Sequence, residues 1–103
     1  MADGYGTEVS FRLGPGTLEE ARAIARRLAE AAAGCRRHVL FVDPEAGAYG
    51  CLAEWDRRED AEGYGARPAV VRELEALAAR TGRPAPVRLY SMEEGPRPAS
   101  GGA

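Results

Sequence analysis

The sequence predicts an α+β domain of ferredoxin-like topology, β-α-β-β-α-β, with two principal helices on one face of a four-stranded antiparallel sheet. Three observations carry this. Glu8–Leu13 alternates, with Val9, Phe11 and Leu13 on one side and Glu8, Ser10 and Arg12 on the other, the period of a half-buried strand. Leu18, Ala21, Ile24, Ala25, Leu28 and Ala32 recur at helical spacing. Two apolar runs, His38–Asp43 and Tyr49–Trp55, are separated only by the turn-forming Asp43-Pro44-Glu45-Ala46-Gly47-Ala48, which implies a hairpin.

Taken in order, residues 1–6 are Gly-rich and read as loose, and Gly14-Pro15-Gly16 ends the first strand. Thr17 with Glu20 fits a capping box, the hydroxyl and carboxylate satisfying free N–H groups at the start of the first helix. Gly34 is its expected left-handed C-terminal residue. Val39, Leu40, Phe41 and Val42 are apolar without alternation, which predicts burial on both faces of the second strand. On the third, Tyr49, Cys51, Ala53 and Trp55 share one face, and Gly50, Leu52 and Glu54 the other. Asp56 with Glu59 marks a short helix over 58–63, and Pro68 opens a further helix with the stripe Val70, Val71, Leu74, Leu77 and Ala78, stopped by Thr81-Gly82-Arg83-Pro84. Val87–Met92 is the last strand. From Glu93 the chain is Gly, Pro, Ser and Ala without an apolar pattern, so residues 93–103 are expected to form a disordered tail to a domain spanning 7–92.

Composition narrows the function classes. At 103 residues one domain is expected, able to bury a modest core. The 14 basic residues, all Arg, are interspersed with 16 acidic ones and form no basic stripe, which argues against nucleic acid as a partner. No run approaches the ~18 apolar residues of a membrane-spanning helix, and the N-terminus lacks signal-peptide character, so a cytoplasmic location away from membranes is expected. Cys35, Cys51 and His38 lack metal-ligand spacing; the cysteines read as buried thiols, and no metal or cofactor is expected. The chain also lacks a phosphate loop, an HExxH motif and a serine nucleophile elbow.

The outer sheet face is predicted to carry Leu52 and either Leu40 or Val42 beside Glu54, Ser10 and Arg12. Such a mixed face suits an interface, and a homodimer is expected. The run GCLAEWDRREDAEGYGARPAVVREL, with Glu54-Trp55 at a strand end and Val87-Arg88-Leu89-Tyr90 in the closing strand, resembles the antibiotic biosynthesis monooxygenase-like domain of the dimeric α+β barrel superfamily across about residues 7–92. The resemblance implies two sheets facing across a dimer axis, a pocket between helices and sheet in each subunit, and Trp55 walling that pocket while Glu54 points to the barrel. Tyr64 stands nine positions after the Trp, where a His often falls, and the chain has no Asn, so haem degradation by an Asn–Trp–His set is not expected.

Other members oxidise phenols or quinols without metal or flavin. By that resemblance Trp55, Tyr64 and Arg72 are the candidate catalytic set, as stacking wall, phenol donor and cation stabilising a substrate anion that reduces O₂. Phe11, Phe41, Cys51 and Trp55 are the candidate substrate-binding residues. The function expected is a cofactor-independent monooxygenase acting on a small aromatic or quinol-type substrate. The alternative is a non-catalytic dimeric barrel that binds a small apolar ligand or serves as an assembly module. An isomerase or decarboxylase would need His38 or Glu54 as acid or base. As structural side chains, Glu54 is expected to pair with Arg12 or Arg88, and Cys51 to be a small buried hydrophobe.

Overall fold

A computed structural model describes residues 3–96. The elements are β1 (Gly4–Arg12), α1 (Leu18–Glu30), β2 (Arg37–Asp43), β3 (Ala48–Trp55), α2 (Arg58–Tyr64), α3 (Pro68–Thr81) and β4 (Arg88–Met92). The four strands form one sheet in the order β2-β3-β1-β4, with every pair antiparallel. This is the predicted ferredoxin-like α+β arrangement, with α1 and α3 on one face.

The strand parity read from the sequence sets the core. Val9 and Phe11 from β1, and Tyr49, Cys51, Ala53 and Trp55 from β3, point to the helices and are buried. Ala21, Ile24, Ala25 and Leu28 of α1 meet them with Val70 and Leu77 of α3. The alanines let α1 lie close to the sheet. Arg27–Glu73 at 2.8 Å and Arg80–Glu20 at 3.0 Å bridge the two helices at the surface. Exposed pairs of this kind contribute about 0–1 kcal/mol, so apolar burial holds the helices.

Several local expectations are corrected. β1 begins at Gly4, within the stretch expected to be loose, because Gly4–Glu8 pairs with β4 and the strand from Tyr5 onward pairs with β3. A Cβ on Gly6 would lie 3.0 Å from the Met92 sulfur and 3.1 Å from Leu52, so glycine there permits the close approach. Thr17 makes no capping bond to its helix; its hydroxyl donates to the Gly14 carbonyl (2.6 Å) and shares a hydrogen bond with the Tyr49 phenol (2.9 Å). Glu20 has been drawn away by Arg80. Helix α1 closes on Ala31 in right-handed conformation, and Gly34 (φ 93°) serves the following turn instead. Gly82 does take the left-handed cap of α3, behind Pro68 at its start.

The second strand is not buried on both faces. β2 is an edge strand, and Phe41 and Val42 are exposed. Its register against β3 puts His38, Leu40 and Val42 on the helix side, opposite Ala53, Cys51 and Tyr49. Val39 and Phe41, rather than Leu40 or Val42, therefore join Leu52 on the outer face. That face also carries Gly6, Glu8, Ser10 and Arg12 of β1 and Tyr90 and Met92 of β4. No helix among the described residues is long and apolar enough to cross a membrane. The expected tail falls partly outside the described residues; within them the Glu94 N–H donates to the Asp3 carboxylate.

Candidate functional site

The predicted site residues divide between the two ends of β3. At its C-terminal end Trp55 is fully buried, and its indole N–H donates to the Thr7 hydroxyl at 2.9 Å. Thr7 and Ala53 are partners in the β1–β3 ladder, which brings the hydroxyl beneath the indole. Tyr64, from the last turn of α2, stacks obliquely on Trp55 at 5.4 Å between centroids and donates its phenol to the Leu28 carbonyl at 3.2 Å. Trp55 and Tyr64 are thus brought together as expected.

The cation beside them is Arg67, not Arg72. Arg67 precedes Pro68, and its guanidinium lies 5.1 Å from the Trp55 ring and 5.9 Å from the Tyr64 ring. It also donates to the carbonyls of Ala31 (3.0 Å) and Ala33 (2.9 Å), where the chain leaves α1. It closes the aromatic pair from outside. Arg72 is exposed and lines a shallow hollow between α1 and α3 with Arg27, Glu30, Ala31, Ala69 and Glu73.

Burial governs the chemistry at this end. It pushes the Cys51 thiol up to about 12 and the Tyr64 phenol up to about 12, with the nearby thiols adding to the latter. Both groups are neutral at pH 7, and the thiolate that would make Cys51 reactive is suppressed. Among the described residues every buried side-chain polar atom has a hydrogen-bond partner. Two surface hollows among the described residues are lined by none of Trp55, Tyr64 and Cys51.

The other end of the sheet is open. β4 pairs with β1 only as far as Glu8, opposite Arg88. Beyond it Ser10–Arg12 has no strand neighbour on that side, and the α3–β4 connection passes instead. The resulting groove has a volume of about 800 Å³, the size of a small-molecule site. Phe11 and Tyr49 line it from the sheet, with ring centroids 5.5 Å apart. Phe41 and Arg12 enter from the outer face, and Arg83 and Pro84 from the connection. Of the predicted substrate-binding residues, Phe11 and Phe41 therefore both line this groove, from opposite faces of the sheet, while Cys51 and Trp55 lie in the interior.

Gly47 ties together two loops next to the groove residue Ala48. Its carbonyl accepts from Leu13 N–H at 2.8 Å and from Gly14 N–H at 3.3 Å, clamping the β2–β3 turn onto the β1–α1 loop. A Cβ there would fall 1.8 Å from the Gly14 carbonyl oxygen, and φ is 64°, so only glycine fits.

His38 is half-buried on the edge strand, and desolvation lowers its pKa, leaving it neutral at pH 7. Glu54 pairs with Arg37 at 2.9 Å and Arg36 at 3.7 Å rather than with Arg12 or Arg88, because Arg37 is its ladder partner. No cluster of three or more His, Cys, Asp or Glu side chains among the described residues is placed to hold a metal ion.

This geometry has close structural counterparts. A variant of SnoaB, described as a cofactor-independent oxygenase from Streptomyces nogalater, is similar with a TM-score of 0.66 and 21% identity, over 91% of this chain and 97% of that one. The chain has an antibiotic biosynthesis monooxygenase-like fold. A structure described as an antibiotic biosynthesis monooxygenase matches with a TM-score of 0.64 and 21% identity, over 89% of this chain and 99% of that one. Rv0793 from Mycobacterium tuberculosis matches with a TM-score of 0.68 and 16% identity, over 89% of this chain and 97% of that one. No protein-family model matches the sequence, and no curated protein does.

Proposed function

We propose that this antibiotic biosynthesis monooxygenase-like domain works as a homodimeric barrel that binds a small aromatic or apolar ligand in the groove beside Phe11 and Tyr49. The observation that carries the reading is the contrast between the two ends of β3. The groove offers about 800 Å³ walled by aromatic rings, whereas the Trp55 end is filled and hydrogen-bonded. The outer face, with Val39, Phe41, Leu52, Tyr90 and Met92, is the surface proposed to meet a second copy. Because Phe41 and Arg12 belong both to that face and to the groove, a second copy laid on it would roof the groove.

The second reading is cofactor-independent oxygenation of a phenol or quinol, supported by the likeness to SnoaB. Such chemistry asks the protein to bind the substrate and stabilise its anion while it reduces O₂. At the Trp55 end, Trp55 and Tyr64 would form the wall and the phenol donor, and Arg72 would have to be replaced by Arg67 as the cation. Substrate entry there requires Arg67 to release the carbonyls of Ala31 and Ala33.

One panel of hydroquinones and anthrone-like phenols separates the readings. The binding reading predicts a raised melting temperature without oxygen uptake above a Trp55→Ala control. A ligand at ~100 times its Kd adds roughly 2.7 kcal/mol of stability. Oxygen consumption that depends on Trp55 favours the oxygenase. Light scattering at micromolar concentration tests the dimer, and a monomer there contradicts it.

A further inference from the structure

We infer that the groove is one half of a shared site, closed only when a second copy lies on the outer sheet face, so that ligand binding and dimerisation drive each other. This rests on the reading of the groove as a ligand site and adds its regulation.

The groove straddles the open end of the sheet. Phe11, Val42 and Tyr49 reach it from the helix side, whereas Glu8, Ser10, Arg12, Phe41, Asp43 and Gly50 lie on the outer face. The two halves are unlike. Phe11 and Tyr49 are only 8% and 5% exposed, so they offer a ligand little ring surface. On the outer half Phe41 is 50% exposed and stands beside Gly50, where a Cβ would come within 3.4 Å of its ring. Gly50 and its ladder partner Ser10 carry no bulk, so Phe41 walls a shallow floor. Small-molecule sites bury about 70–90% of their ligand. A flat ring laid against Phe41 keeps its far side in water. One copy therefore supplies a floor and one wall, and the cover comes from outside it.

The charges around the hollow fit a second copy of the chain as that cover. Arg12 and Arg83 make no ion pair among the described residues. Glu8 and Asp43 are bonded only to neutral donors, the Tyr90 phenol at 3.3 Å and the Ala46 N–H at 3.3 Å. The lining thus carries both signs equally, with no net charge to select an anion or a cation. A two-fold contact places a patch against its own copy, so the patch must complement itself, and mixed, uncommitted charge does so. From Phe41 the same face continues through Val39, Leu52, Tyr90 and Met92, apolar or aromatic side chains that suit the centre of such a contact. A ligand bound where two copies meet stabilises the dimer, and by reciprocity the dimer raises the affinity for the ligand.

The probe is 2-naphthol, a neutral planar phenol, added to the full chain. Sedimentation equilibrium measures dimerisation with and without it, and calorimetry measures its affinity. With two sites per dimer, 2-naphthol at about ten times its Kd should tighten dimerisation about a hundredfold. Diluting wild type below its dimer dissociation constant should weaken 2-naphthol binding, a measurement that needs no variant. Leu52→Arg, on the outer face but outside the groove lining, should be monomeric with unchanged circular dichroism and lose 2-naphthol binding, although every lining residue is kept. Equal affinity in monomer and dimer, or dimerisation unchanged or weakened by 2-naphthol, overturns the coupling but leaves the groove as a ligand site. A wild type that stays monomeric with 2-naphthol bound overturns the coupling and the dimer together. A wild type that binds no 2-naphthol at any concentration overturns the ligand-site reading as well.

Discussion

Replacing Thr7 with Val asks whether the Trp55 end is sealed. The two side chains are nearly isosteric, so the substitution removes the acceptor of the indole N–H while filling the same space. Thr7 is 1% exposed and Trp55 fully buried, which leaves no solvent to take over the 2.9 Å bond. An orphaned buried donor costs about 1–3 kcal/mol, and the added methyl returns at most ~0.8 kcal/mol. The net loss is at least about 0.2–2 kcal/mol, with about 1–2 kcal/mol at the middle and upper end of that range. For a domain of this size each kcal/mol lowers the melting temperature by about 4–8 °C, so a loss of about 1–2 kcal/mol gives a fall of about 4–16 °C. Urea unfolding followed by the single tryptophan checks this, with an unchanged slope showing that the folded state remains compact. Stability equal to wild type would refute the reasoning, because the indole N–H would then have water beside it, as the wall of an open pocket would.

Three further outcomes follow from the same geometry. Gly47→Ala should destabilise the fold by at least about 2 kcal/mol in urea unfolding, since it combines a backbone clash with a left-handed conformation. Arg67→Met should cost about 1–2 kcal/mol through the loss of two bonds to carbonyls and the ring contacts, yet leave the affinity of any aromatic ligand in the groove unchanged. Alkali should destabilise the protein through two groups. Burial raises Cys51 from 9.0 to about 12 and Tyr64 from 10.0 to about 12, so the folded state holds protons that the unfolded chain releases first. The stability they contribute is present in full below about pH 9 and is lost as pH rises towards 12. Melting temperatures between pH 8 and pH 11 should fall less steeply in Tyr64→Phe, which no longer titrates; an identical slope would contradict the assignment.

The architecture was largely legible because strand alternation and helical stripes are local signals that the tertiary structure did not override. The parity of β3 by itself puts Trp55 and Glu54 on opposite faces. What failed depended on neighbours. The apolar run of β2 carries no sign that it lies at a sheet edge, so burial on both faces was the natural inference. Gly4–Gly6 has no side chains to announce a strand, and the Thr17–Glu20 box lost its glutamate to Arg80, sixty residues on.

The site was legible only in part. The resemblance groups Trp55 with Tyr64, but their burial depends on Thr7 and Arg67, and only the ladder and the α2–α3 corner bring those residues in. Tyr49 shares the face of Trp55, and alternation could have found it. The groove beside Phe11 opens where β4 stops pairing, a boundary that periodicity alone does not reveal.

Acrylamide quenching of tryptophan fluorescence addresses the central contrast most directly, because Trp55 is the chain's single tryptophan. A sealed Trp55 predicts weak quenching in the folded protein, unchanged when an aromatic ligand occupies the groove. Quenching close to that of free indole, or marked protection once an aromatic ligand is bound, would instead place the ligand against Trp55 and contradict the account.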